Sequence, residues 1–207
     1  MKTIFRNNGL SIALAALFLI FWGGQAYCGW RVHTEEAAVH RQDALAFRGY
    51  LFSGHFWQAT AENWESEFLQ MAAYVLLTCF LFQKGSAESK DPDEPDAGRL
   101  LPKKKRRYSW IYRNSLALAF VGLFLVAFLV HAMSGLVEEN EMRAEHRLPP
   151  ETLAAFLSSA EFWFQSFQNW QSEFLAVLSI VGLSIFLRQE GSPESKEVGA
   201  ANSESGR

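Results

Sequence analysis

Ser115–Val137, SLALAFVGLFLVAFLVHAMSGLV, holds no Asp, Glu, Lys or Arg in about 23 residues, and His131 is its one titratable side chain. At 1.5 Å of rise per residue, a helix of that length crosses the roughly 30 Å of hydrocarbon in a bilayer. Lipid offers no partners to backbone amides, so the run predicts a transmembrane helix. Leu10–Tyr27 reads the same way, being apolar apart from Ser11 and Gln25.

The two runs are copies of one another. Shifting the chain by about 106 residues lays Asn8–Lys90 on Asn114–Lys196 without a gap, with roughly 32 of about 83 pairs identical. The densest block is Phe56-Trp57 followed by Asn63-Trp64-Glu65-Ser66-Glu67-Phe68-Leu69. It recurs as Phe162-Trp163 followed by Asn169-Trp170-Gln171-Ser172-Glu173-Phe174-Leu175. The period is too long for a solenoid, so two tandem halves are expected: 8–90 and 114–196, with a linker at 91–113 and a tail at 197–207.

Each half carries a second apolar run, Phe68–Phe82 or Phe174–Leu187, too short on its own to cross. The motif ahead of it supplies the length. Asn63 and Asn169 are good N-cap residues, and Glu65, Glu67 and Glu173 then fall in a first turn, where the helix dipole favours an anion. Trp64 and Trp170 would sit at the lipid–water boundary. The expected fold is an all-α integral membrane protein with four transmembrane helices at about 10–28, 64–83, 115–137 and 170–188. The halves form tandem parallel repeats, each a span, an extracytoplasmic connector and a span.

The connectors of about 35 residues begin charged and end aromatic. Phe156, Trp163, Phe167 and Trp170 share helical spacing, which predicts an amphipathic helix lying on the membrane surface, with a re-entrant segment as the alternative. Lys2 and Arg6 ahead of an apolar core resemble a signal peptide. Tyr27 spoils the cleavage site, however, and the mid-chain copy of the span argues for a retained helix.

Lys84–Arg113 is rich in Lys and Arg, including Lys103, Lys104, Lys105, Arg106 and Arg107. The positive-inside rule puts this linker and both termini in the cytoplasm. A nuclear-localisation or nucleic-acid reading of the basic run is weaker, because beside a span such a run sets topology and touches anionic lipid. The acidic, proline-broken 91–96 opens a linker, 91–113, that reads as disordered, as does the Gly/Ser/Glu tail from Gly191.

The 207 residues are 49% hydrophobic and 14% aromatic, with a net charge of −3, which gives no footprint for nucleic acid. Cys28 and Cys79 cannot make a disulfide framework or a cysteine metal site. No phosphate-cradling, zinc-protease or nucleophile-elbow motif occurs, so no enzyme activity, cofactor or metal is expected. The candidate functional or interfacial residues are Asn63, Trp64, Glu67, Asn169, Trp170, Glu173 and His131. Glu67 and Glu173 occupy equivalent positions and could share a cation, although capping carboxylates are the simpler reading. His131, whose counterpart is Gln25, suits a hydrogen bond within the bundle better than a proton relay. His40-Arg41 recurs as His146-Arg147 without further ligands at metal spacing.

At the duplicated Phe-Trp…Asn-Trp-x-Ser-Glu-Phe-Leu motif and the Gly-Ser-x-Glu-Ser-Lys tails, the chain resembles an uncharacterised family of small bacterial membrane proteins, a domain of unknown function. The resemblance covers about Phe5 to Lys196 and implies a bacterial inner-membrane protein, with no catalytic residues to carry over. The expected function is non-enzymatic: structural, stress-related or partner-binding, with a homo-oligomer or another membrane protein as partner. A small transporter or channel built from the two repeats is the alternative.

Overall fold

A computed structural model describes residues 2–40, 43–94 and 108–206, and all the regular structure among them is helical. The elements are α1 (Lys2–His40), α2 (Phe47–Tyr50), α3 (Gly54–Leu77), α4 (Trp110–Arg113), α5 (Ser115–Glu145), α6 (Leu153–Phe156) and α7 (Ala160–Phe186). Three helical stretches are long and apolar enough to cross a membrane: Arg6–Val39 within α1, all of α5, and all of α7. Helix α1 departs from helical geometry at Asn8 (φ −128°, ψ 18°). Lys103–Arg107, the site expected to meet anionic lipid, lies outside the described residues, as does Arg41.

The chain divides into two compact units, Met1–Ala59 with Met133–Glu151, and Thr60–Ala132 with Thr152–Arg207. In the first, Trp22, Trp30 and Trp57 pack around buried Ala26, Tyr50 and Phe56. Helix α5 ends there on Arg147, which adopts the left-handed φ of 56°. The amide of Leu148 reaches back to the Arg143 carbonyl (2.8 Å) and that of Arg147 to the Ala144 carbonyl (3.0 Å), closing the helix just before Pro149.

Helices α3 and α7 begin well ahead of Trp64 and Trp170. The expected caps, Asn63 and Asn169, are therefore helix-interior residues. The caps come from serines instead: the Ser53 hydroxyl accepts from the Phe56 amide and Ser159 from Phe162, each at 3.2 Å. No proline separates Gly54 from Leu77 or Ala160 from Phe186, so nothing stops the helix once it is capped. Asn169 is accommodated by donating its amide to the Gln165 carbonyl one turn back (3.1 Å). The four aromatic residues expected on one helix are divided: Phe156 belongs to α6, while Trp163, Phe167 and Trp170 belong to α7. Ser53→Ala should destabilise the protein by about 1 kcal/mol in detergent melts. Asn63→Ala should change it by less than about 0.5 kcal/mol. The reverse order would restore Asn63 as the cap.

The tail from Gly191, expected to lack structure, is fixed by hydrogen bonds within the second unit. The Lys196 ammonium donates to the carbonyls of Gly85 (2.5 Å), Glu204 (2.9 Å), Ala201 (3.2 Å) and Asn202 (3.2 Å). The Gly206 amide donates to the Ser86 carbonyl at 2.8 Å. Glycine is required at this crossing: a Cβ on Gly206 would sit 1.8 Å from the Ala87 oxygen, and one on Gly85 2.3 Å from the Asn202 oxygen. Composition pointed to disorder because a single buried lysine saturated by four carbonyls leaves no mark on it.

Candidate functional site

Helices α3, α5 and α7 converge in the second unit on a buried acid–base pair. Glu65 from α3 and His131 from α5 are both fully buried. His131 Nδ1–H donates to Glu65 Oε2 at 2.7 Å, and the indole of Trp170 on α7 donates to Glu65 Oε1 at 3.0 Å. The other ring nitrogen of His131 lies 3.2 Å from the amide oxygen of Gln165. The Gln165 amide nitrogen is held by Glu161 (3.1 Å), which turns the oxygen toward the ring. Both imidazole nitrogens therefore face side-chain oxygens, one of Glu65 and one of Gln165.

The surroundings are built to hold that ring. Phe162 stacks on it with centroids 4.8 Å apart at 25°, and is itself fully buried against Phe128 and Phe156. Glu62, one turn before Glu65 and 17% exposed, brings a second carboxylate to 3.9 Å from His131 Nε2 and is hydrogen-bonded by Asn169. Ser166, between Phe162 and Trp170 on the same face of α7, is buried with no hydrogen-bond partner for its hydroxyl.

The expected residues divide around this centre. His131 and Trp170 are in it, and Asn169 touches it through Glu62. Asn63 and Glu67 are exposed and Trp64 is half-buried on α3. Glu173 is half-buried on α7. No group of three or more metal-ligating side chains occurs among the described residues. Cys28 and Cys79 are both free and exposed. Glu65 was read only as a first-turn carboxylate. The available signal was a pair of mismatches in the repeat, with Glu65 and His131 standing where the other copies have Gln171 and Gln25.

The first unit holds a second polar cluster, ahead of the expected span at Trp64. The Tyr50 hydroxyl and His55 Nδ1 are 3.0 Å apart, with the His33 ring 5.6 Å from Tyr50 and 5.8 Å from His55. Glu36 acts on both Tyr50 and His55, and the His55 amide donates to the Glu138 carboxylate.

A family model described as a domain of unknown function (DUF6766) matches residues 1–207. No curated protein and no solved structure matches the chain.

Proposed function

Since the chain belongs to the DUF6766 family, whose description assigns no activity, we propose from its own residues that it is a non-enzymatic integral membrane protein. It has four spans in two tandem parallel repeats and a structural or partner-binding role. Helix α3 is the added span. Its 24 residues rise about 36 Å, enough to cross. Its most buried carboxylate, Glu65, is hydrogen-bonded inside the protein by His131 and Trp170, and Gln70 is 7% exposed. The repeat is supported by bonds that recur at equivalent positions. Trp57 donates to the Leu51 carbonyl (3.1 Å) and Trp163 to that of Leu157 (3.0 Å). Ser89 and Ser195 each accept from a glutamine amide at 2.8 Å. The Lys/Arg bias of 84–113 favours cytoplasmic termini, and the likeness to small bacterial membrane proteins favours the inner membrane.

The observation that carries the role is the mutual saturation of the buried pair. Glu65, His131, Gln165 and Trp170 use their hydrogen-bonding groups on one another across three helices. That arrangement clamps a bundle and leaves no first-contact group for a substrate. The transporter reading draws on Glu62, part-exposed beside His131, and on the unpartnered Ser166 hydroxyl. Purified protein in liposomes, tested with proton, sodium and potassium gradients, separates the two. The clamp predicts no flux above empty vesicles. Proton flux abolished by Glu65→Gln would establish the transporter in its place.

A further inference from the structure

A cleft of about 370 Å³ lies in the second unit between the C-terminal half of α3 and the middle of α7, a size that holds a small ligand. Tyr74, Leu77 and Leu81 line one side, Phe174, Leu178 and Val181 the other. Its walls are apolar and exposed: Leu77 is 48%, Leu81 61% and Leu178 66% accessible. The Thr78 hydroxyl in the wall is turned back onto its own helix, donating to the Tyr74 carbonyl at 2.9 Å. Negative charge gathers at one end. The Glu88 carboxylate accepts from the Tyr74 hydroxyl at 2.6 Å and is hydrogen-bonded to the Glu194 carboxyl. Lys84, the neighbouring cation in the loop, is spoken for by Asp93, and Lys196 by its four carbonyls.

We propose that this cleft binds a phospholipid with a primary ammonium headgroup, the acyl chain lying between α3 and α7 and the ammonium on Glu88. The proposal rests on the reading that both helices cross the membrane, since an apolar cleft in their walls then opens onto hydrocarbon and is filled from the side. The headgroup follows from charge. Glu88 and Glu194 bring two carboxyl groups to this end of the cleft, and the neighbouring Lys84 and Lys196 are engaged elsewhere. An ammonium brings three donors and a positive charge to the Glu88 carboxylate, of which the Tyr74 hydroxyl engages one oxygen. An anionic glycerol headgroup would meet repulsion at the same place. The polybasic linker at Lys103–Arg107 has the opposite preference, so one chain would select two lipid classes at two sites.

The test uses the full chain with Lys103–Arg107 replaced by Gln, so that the linker holds no anionic lipid, reconstituted in vesicles of equal phosphatidylethanolamine and phosphatidylglycerol, floated on a density gradient and examined by native mass spectrometry. The expected result is a floated protein that retains one phosphatidylethanolamine per chain, roughly tenfold over phosphatidylglycerol. Glu88→Gln keeps the Tyr74 hydrogen bond and should erase the preference. Leu178→Trp should fill the cleft and remove the bound lipid with Glu88 intact. Protein that floats yet carries both lipids equally overturns the proposal alone, as does a preference surviving in both variants. Protein that fails to float overturns the membrane reading and this proposal with it.

Discussion

Glu65→Ala should lower the stability of the protein in mild detergent by about 3–5 kcal/mol, more than any exposed substitution. The change removes the acceptor of both the fully buried His131 Nδ1–H and the half-buried Trp170 indole. His131→Leu should cost a similar amount, because it leaves a fully buried carboxylate with only the indole. The informative variant is the double substitution Glu65→Gln with His131→Gln. It reproduces the residues at the equivalent positions of the repeat, Gln171 and Gln25, and an amide pair can hydrogen-bond without burying charge. It should be less destabilised than either truncation, and the cycle it closes with the single variants Glu65→Gln and His131→Gln should show a strong coupling energy. Thermal and denaturant unfolding of these proteins provide the check. Single changes within about 1 kcal/mol of wild type would mean that the pair does not clamp the bundle.

Phe162→Ala should cost about 3 kcal/mol. The ring lies in the first turn of α7, touches Phe128, Phe156 and Trp163, and forms one wall of the His131 site. Its removal opens a cavity and frees the imidazole to tilt away from Glu65. Phe164, two residues on, is 62% exposed and serves as the control, with an expected change of under about 0.5 kcal/mol for Phe164→Ala. Phe56, the equivalent of Phe162, is 4% exposed and packs on Tyr50, Trp22 and Trp57, so Phe56→Ala should also be costly. Comparable losses for Phe162→Ala and Phe164→Ala would contradict the packing.

Much of the fold was legible because lipid permits few solutions. A charge-free run such as 115–137 leaves the backbone little choice but helix, and α1, α5 and α7 follow that logic. Helix α3 was harder, because Glu62, Glu65, Glu67 and Gln70 dilute its apolar character. Only the partners of Glu65, far away in sequence, make a buried carboxylate tolerable there. Helix starts were misread for a local reason. Asn63 and Asn169 are good caps by residue type, but a cap acts only where the preceding residues are not already helical, and Ser53 and Ser159 had nucleated the helices earlier. Of the site, His131 stood out as the one titratable group in an apolar run. Its acid did not, since Glu65 lay among three glutamates with nothing local to mark it. The lysine-anchored tail was illegible for the same reason: its partners are backbone carbonyls, and no residue type announces them.

The central claim is that α3 crosses the membrane, making four spans with both termini on one side. Reporter fusions after Ala46, Asp91, Glu139 and the C-terminus measure this directly, using a phosphatase active only outside the cytoplasm and a fluorescent protein active only within it. The account predicts phosphatase activity after Ala46 and Glu139, and fluorescence after Asp91 and at the C-terminus. Phosphatase activity after both Ala46 and Asp91 would mean that α3 does not cross, and would contradict it.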